Sequence, residues 1–140
     1  MKSIESSSKR IIVAKLEKGE DLLDSLETLA KKYDLISGFF SAIGALSEAN
    51  IGFFDKDKYK SIKLKSDLEV VSCIGNISYR EGKATVHAHI VVGDREGRAL
   101  GGHVLNGCIV SITCEIFLME ISRKINRSED EATGLFLIDL

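Results

Sequence analysis

Apolar and polar positions alternate along the chain in ways that divide it into short segments. Arg10 to Leu16, rich in β-branched residues, predicts a strand. Gly19-Glu20-Asp21 then opens a helix, since acidic side chains suit the positive end of the helix dipole and Lys31-Lys32 suit its closing turn. Leu22, Leu23, Leu26, Leu29, Ala30 and Tyr33 recur at helical spacing and form one stripe. Leu35 to Phe54 is apolar but interrupted by Gly38, Gly44 and Gly52, which predicts bent, closely packed strands. After it, Lys56, Lys58, Lys60, Lys63 and Lys65 alternate with Asp57, Tyr59 and Ile62. Such alternation marks an edge strand or a solvated loop, with a phosphate-facing surface as the functional alternative.

The second half reads as β throughout. Leu68 to Ser78, Lys83 to Val92, Arg98 to Leu105 and Cys108 to Ser122 have strand composition and are separated by turn signals. Asp94-Arg95-Glu96-Gly97 predicts a type I turn with the glycine in a G1 bulge, and Asn106-Gly107 predicts a two-residue hairpin. A meander is the economical arrangement, and Leu135 to Ile138 supplies a final strand. The sequence shows no repeat at a fixed period.

With 140 residues, 44% of them hydrophobic and 29% charged, the chain can build one real core. Residues 1–9 are expected to be a flexible N-terminus and residues 10–140 a single domain. The net charge of −2 argues against a strong intrinsic attraction to polyanions. Cys73, Cys108 and Cys114 cannot complete a disulfide framework, and no secretory apolar stretch lies in MKSIESSSKR, so a reducing cytoplasm is the expected location. Apolar runs break after four residues, far short of the ~20 that span a membrane, so no membrane role is expected. Proline is absent, and tight turns fall to the twelve glycines.

All three histidines, His87, His89 and His103, fall in one predicted hairpin. A spacing of two puts His87 and His89 on one face of a strand. If Arg95-Glu96-Gly97 is a three-residue loop, His89 lies opposite His103 with His87 diagonal to it; a five-residue loop pairs His87 with His103 instead and keeps all three on one face. Three neutral imidazoles on one face suit zinc or another divalent transition metal, with a fourth position left for water or substrate. The alternative is a polar stripe on a half-solvated sheet. Gly101-Gly102 before His103 permit close backbone approach or a bulge. Glu69, Glu115 and Cys108 are weaker additional ligands, and a simple Asn106-Gly107 hairpin would send Glu115 to the opposite face. Cys73 and Cys114 read as small core residues. Gly93 to Gly97 is hairpin chemistry without a following helix, which excludes a phosphate loop, and no Ser-His-Asp arrangement is credible.

Gly44-Ala45-Leu46, Leu68 to Ile77, His87-Ala88-His89 and Gly101-Gly102-His103 together resemble the PPC (plants and prokaryotes conserved) domain family. Gly19-Glu20-Asp21, Gly93-Asp94 with Gly97, Thr113-Cys114-Glu115, Arg127, Asp130 and Thr133-Gly134-Leu135 extend the resemblance almost end to end. It implies an α/β (α+β) domain with a large, mostly antiparallel sheet and a flanking helix, assembled as a homotrimer. It also implies a metal on the residues matching His87, His89 and His103, and a predicted DNA-binding label. The AT-hook that accompanies the domain in plants contains proline, and this chain has none.

Two functions follow as expectations. One is a trimeric, metal-containing regulatory module acting with DNA or a DNA-bound protein, with Lys56, Lys58, Lys60, Lys63 and Lys65 as its phosphate-facing surface. The other is a zinc-dependent small-molecule enzyme, a metal-assisted lyase or hydrolase, suggested by a resemblance in fold to acetolactate decarboxylase, with Glu69 or Glu115 as acid or base. A third, plainer outcome is a metal that only fixes the hairpin of a structural trimer.

Overall fold

The computed structural model describes residues 1–55 and 58–140, and for Tyr59 the backbone alone. Its elements are β1 (Ser8–Glu17), α1 (Leu22–Lys32), β2 (Gly38–Asp55), β3 (Lys58–Arg80), β4 (Lys83–Gly93), β5 (Ala99–Val104), β6 (Ile109–Ile121), β7 (Asn126–Glu129) and β8 (Phe136–Asp139). The mostly antiparallel sheet with one helix is the α/β (α+β) arrangement anticipated from the sequence.

The helix starts where the acidic turn predicts. One carboxylate oxygen of Asp21 accepts hydrogen bonds from the amides of Leu23 and Asp24 at 2.9 and 3.2 Å, while the other accepts from Gly107 N at 2.6 Å. The cap therefore also pins the connection between β5 and β6. Leu22, Leu26 and Ala30 bury the apolar stripe, and α1 packs against β4 and β6. Asp34, at φ +50°, ends the helix as Leu35 N returns to Ala30 O at 2.9 Å.

Eight strands form one sheet in the order β1-β6-β2-β5-β4-β3-β7-β8, with β2 also paired to β3. The pairings β2–β3, β3–β4, β4–β5 and β5–β2 close on themselves. This closure is possible because β2 bends. Its first half pairs with β6 as far as Glu48, two register shifts follow one another near Gly44 and Ser47, and Ile51 and Gly52 then pair with Val104 and His103 of β5. A Cβ on Gly102 would lie 2.7 Å from Gly52 O, so the contact between β5 and β2 needs glycine there.

Closure also corrects the expected meander, which ends at β5. No hairpin joins β5 to β6: β6 lies between β1 and β2, and Asn106-Gly107 is a crossing connection. Leu105 N donates to Asn50 O at 3.0 Å and Asn50 Nδ2 to Asn106 O at 2.8 Å, while Gly107 takes φ +106°. Once β5 has paired with β2, its edge is no longer open to β6. The apolar stretch expected to form several bent strands is a single 18-residue strand, which keeps the bend. Near the N-terminus, β1 begins at Ser8, and Ser7 O accepts from Ser122 N at 2.8 Å.

Phe40, Leu46, Ile51, Ile90, Ile116 and Leu118 line the sheet side of the core beneath α1. Cys73, Cys108 and Cys114 are buried and free, and burial pushes the Cys73 thiol up to about 12 and Cys114 to about 11. The two thus behave as the small core residues expected of them. The opposite face of the sheet is exposed, and across six strands Val13, Phe117, Ser41, Ile74, His89 and His103 stand in one directly paired row. Val13, Phe117 and Ile74 are each about 60% exposed on it.

Glu120 is the one buried carboxylate among the described residues, 1% exposed, accepting from Arg10 Nε at 2.6 Å and Lys9 Nζ at 3.3 Å. The Arg10 hydrogen bond holds its carboxyl below the ordinary value despite burial. A depressed folded-state value means the contribution is present above the unfolded carboxylate value and is lost as pH falls through the folded one. The wild-type urea midpoint should therefore fall on acidification below about pH 5, and Glu120→Gln should flatten that fall. Parallel midpoint curves for the two proteins would remove this role.

Candidate metal centre

The centre is built by the turn between β4 and β5. Asp94 N donates to Arg98 O and Gly97 N to Asp94 O, both at 3.0 Å, and Gly97 takes φ +76°. The Asp94 carboxylate accepts from the amides of Glu96 and Arg98 and from Arg98 Nε. This three-residue loop pairs Gly93 with Ala99, and the register then carries His89 opposite His103. The first of the two loop lengths considered from the sequence is therefore the one adopted, and no bulge interrupts the hairpin.

His87, His89 and His103 converge. Ring centroids lie 5.0 to 5.5 Å apart, His87 Nε2 is 3.2 Å from His89 Nε2, and one ligand atom from each residue lies within 4.8 Å of the others. His87 and His103 are half-buried and His89 is exposed. Burial lowers the pKa of His87 and brings that of His103 down to about 4, helped by neighbouring positive charge. Both rings are thus neutral near pH 7, the form that ligates metal. The donor set fits a divalent transition ion held by His87, His89 and His103.

Sequence reasoning gave Arg127 no role at the site. The parallel pairing of Tyr79 with Asn126 lays β7 beside β3 and brings Arg127 over the centre. Its Nε donates to Ser78 Oγ at 2.6 Å, Nη1 to Phe136 O at 2.6 Å, and Nη2 to Asn76 Oδ1 at 2.9 Å and His87 Nδ1 at 3.3 Å. One guanidinium so ties β3, β4, β7 and β8 together and fixes the outer side of the His87 ring. No local spacing marks it; its only signal was its place among the closing residues of the family pattern. A cavity of about 200 Å³ opens here, with Arg80, His87, His103, Arg127 and Phe136 in its wall.

The remaining candidates lie elsewhere. Glu69 is exposed and pairs with Gly93, four residues along β4 from His89 and so about 13 Å away along the strand. Glu115 is exposed opposite Lys15, on the same face as Phe117 and hence on the histidine face. That corrects the expectation of the opposite face, which rested on the absent β5–β6 hairpin. Two strands, β2 and β3, still separate it from β4. Cys108 is buried, its thiol donating to Asn50 O at 3.5 Å. Among the described residues, no carboxylate or thiol joins the histidine group.

Lys58 to Lys65 pair only with β2 among the described residues and so form an edge, as their alternation predicted. Strand alternation puts Lys58 and Lys60 on one face and Lys63 and Lys65 on the other. Lys60 is paired with Asp55, and Lys65 Nζ lies 3.0 Å from Glu48. Lys56 lies outside the described residues.

Residues 3–122 match the model of the Plants and Prokaryotes Conserved (PCC) domain. A bifunctional protein GlmU of Synechococcus sp. (strain JA-3-3Ab) is 34% identical over 131 residues, covering 92% of this chain and 20% of that protein. The GlmU of strain JA-2-3B'a(2-13) is 35% identical over 129 residues, covering 91% and 20%. The chain spans about a fifth of the length of these curated relatives. Among solved structures, a Pyrococcus horikoshii plant- and prokaryote-conserved (PPC) protein is 34% identical with a TM-score of 0.91, over 100% of this chain and 98% of that one. A metal-containing protein of Archaeoglobus fulgidus is 31% identical with a TM-score of 0.90, over the whole of both chains. A Bacteroides thetaiotaomicron protein described provisionally as DNA-binding is 26% identical with a TM-score of 0.89, over 96% of each. A family match across most of the chain, on a sheet whose β4–β5 hairpin gathers its three histidines, means that this protein belongs to the plants and prokaryotes conserved domain family.

Proposed function

We propose that the protein is a metal-holding binding module that works as a homotrimer in association with DNA or with a DNA-bound protein. The convergence of His87, His89 and His103 carries this reading. Zinc is the ion we favour, because the donor set is three imidazoles and such sites commonly leave one coordination position open. When bound, a divalent ion supplies Lewis acidity at that position. The chain's own residues hold the rings: the β4–β5 register aligns them and Arg127 steadies His87.

The exposed apolar row favours assembly, since Val13, Phe117 and Ile74 leave an apolar face that a further copy would cover. Similarity to a protein provisionally labelled DNA-binding favours the nucleic-acid partner. The divided lysines and the net charge of −2 make any phosphate contact a property of the assembly or of its partner. Three buried, unpaired thiols suit the cytoplasmic setting.

Purified without a nickel column, the protein should carry close to one metal ion per chain and sediment at three times the chain mass. It should also bind duplex DNA, with or without the partner, in a manner that weakens as salt rises. Full stability without metal, or a monomer at micromolar concentration, counts against the reading.

A second reading is supported by the cavity beside the histidines. An open three-histidine centre facing a 200 Å³ recess suits a zinc-dependent small-molecule enzyme, a lyase or hydrolase. Glu69 and Glu115 lie too far along the sheet to act there as acid or base, so Arg80 and Arg127 are the charged groups at hand. Absence of DNA binding together with saturable uptake of a small ligand would favour this second reading over the first.

A further inference from the structure

We infer that the cavity between the histidines and the C-terminal strand binds a small organic monocarboxylate, held by the guanidinium of Arg80 with Arg127 beside it. The inference deepens the metal reading and rests on it, because His87 and His103 form the wall that the anion would face.

The recess is small and chemically divided. At about 200 Å³ it has room for roughly seven waters at ~30 Å³ each, or for a carboxylate with a short apolar body. Leu135, Phe136 and Leu137 supply the apolar side, while Arg80, Arg127 and the two imidazoles supply the polar side. Such a lining suits a ligand with one charged end and one apolar end.

Charge decides the sign of that end. Arg80 Cζ lies over the Phe136 ring, 3.3 Å from its centroid, which holds the guanidinium at the wall of the recess. Its Nε is buried and makes no hydrogen bond in the structure; Glu81 Oε2 is 3.5 Å away and the Glu81 side chain is 64% exposed, so the charge is only weakly compensated. Arg127 spends its donors on Ser78, Asn76, His87 and the Phe136 carbonyl, and no carboxylate accepts any of these bonds. Two cations therefore border one recess and, among the described residues, no acid lines it. With Glu81 as its only acidic contact among the described residues, at 3.5 Å, the Arg80 guanidinium would gain from an anionic oxygen placed in the recess.

The geometry favours carboxylate over phosphate. A planar carboxylate matches the fork of one guanidinium, whereas a phosphate dianion brings more charge and more oxygens than the Arg80 guanidinium alone can serve.

The test uses the full chain, zinc-loaded and metal-stripped, with zinc measured on each sample. Isothermal titration with 3-methylbutyrate, its neutral analogue 3-methylbutyramide and inorganic phosphate reads the binding. The carboxylate should bind saturably to the zinc-loaded protein, the amide at least tenfold more weakly, and Arg80→Met should lose at least tenfold in carboxylate affinity. Methionine keeps an apolar contact with Phe136, and unchanged circular dichroism and urea midpoint would show that the variant still folds. Equal binding of acid and amide, wild-type affinity in Arg80→Met, or a preference for phosphate overturns the inference. Stoichiometric zinc without carboxylate binding overturns the inference alone. Arg80-dependent carboxylate binding to a protein that never takes up metal overturns the metal reading alone.

Discussion

Phe40→Ala is expected to lower the stability of the fold by about 3–5 kcal/mol, seen as a fall in the urea midpoint with the slope unchanged. Phe40 is 1% exposed and ranks first by volume among the fully buried side chains. Its ring fills the space above Gly75, its direct cross-strand partner on β3. A Cβ at Gly75 would meet Phe40 Cζ at 2.6 Å and the His87 carbonyl at 2.4 Å. Truncating the ring leaves a void that packed neighbours on both sides cannot collapse into. The reverse change, Gly75→Ala, overfills the same space and should cost about 1–3 kcal/mol or more. Combining it with Phe40→Leu should cost less than the two changes separately, because only the contact with the His87 carbonyl persists. A loss below ~1 kcal/mol in Phe40→Ala would mean that the ring does not fill the core.

His89→Ala should abolish tight metal binding while leaving the metal-free fold untouched. His89 is exposed and forms one corner of a triangle of rings with His87 and His103, so its loss leaves two imidazoles and, among the described residues, no neighbouring carboxylate to replace it. Loss of an outer-shell partner commonly costs ~10–100-fold in affinity, and loss of a direct ligand should exceed that. Competition with a chromophoric chelator measures the affinity. At 100 times the dissociation constant, metal should add about 2.7 kcal/mol to wild-type stability. That increment should vanish in the variant, whose metal-free urea midpoint should match the wild type's. Wild-type affinity in His89→Ala would show that the ion is held elsewhere.

The histidine site was legible in the sequence because everything that sets it is local. A spacing of two fixes the face of His87 and His89, and the Asp94 to Gly97 turn fixes the register that brings His103 opposite. Helix α1 was legible for the same reason: stripe, acidic start and basic end all lie within one short segment. Asn106-Gly107 misled because a dipeptide reports turn chemistry and not which strand comes next. Its glycine does take positive φ, yet the chain crosses to a slot between β1 and β2 that only the closure of β5 on β2 makes necessary. Arg127 was hidden because Asn76, Ser78 and His87 lie 40 and more positions away from it and a parallel bridge at Tyr79 sets its position. Lys58 to Lys65 lie on an edge, one of the two places their alternation suggested, and simple parity between Lys60 and Lys63 divides them between two faces.

The pairing of β1 with β6 has a consequence for synthesis. Val13 and Phe117 are direct partners, so β1 bonds to a segment made about a hundred residues after it. At ~5–20 residues per second, β1 waits roughly 5–20 s with Ile12 and Leu16, which the finished fold buries, still uncovered. Lys9, Arg10 and Lys15 flank those apolar residues within the same strand, and such charges discourage pairing between nascent chains. The basic start of β1 thus protects the unfinished protein for as long as its proper partner does not yet exist.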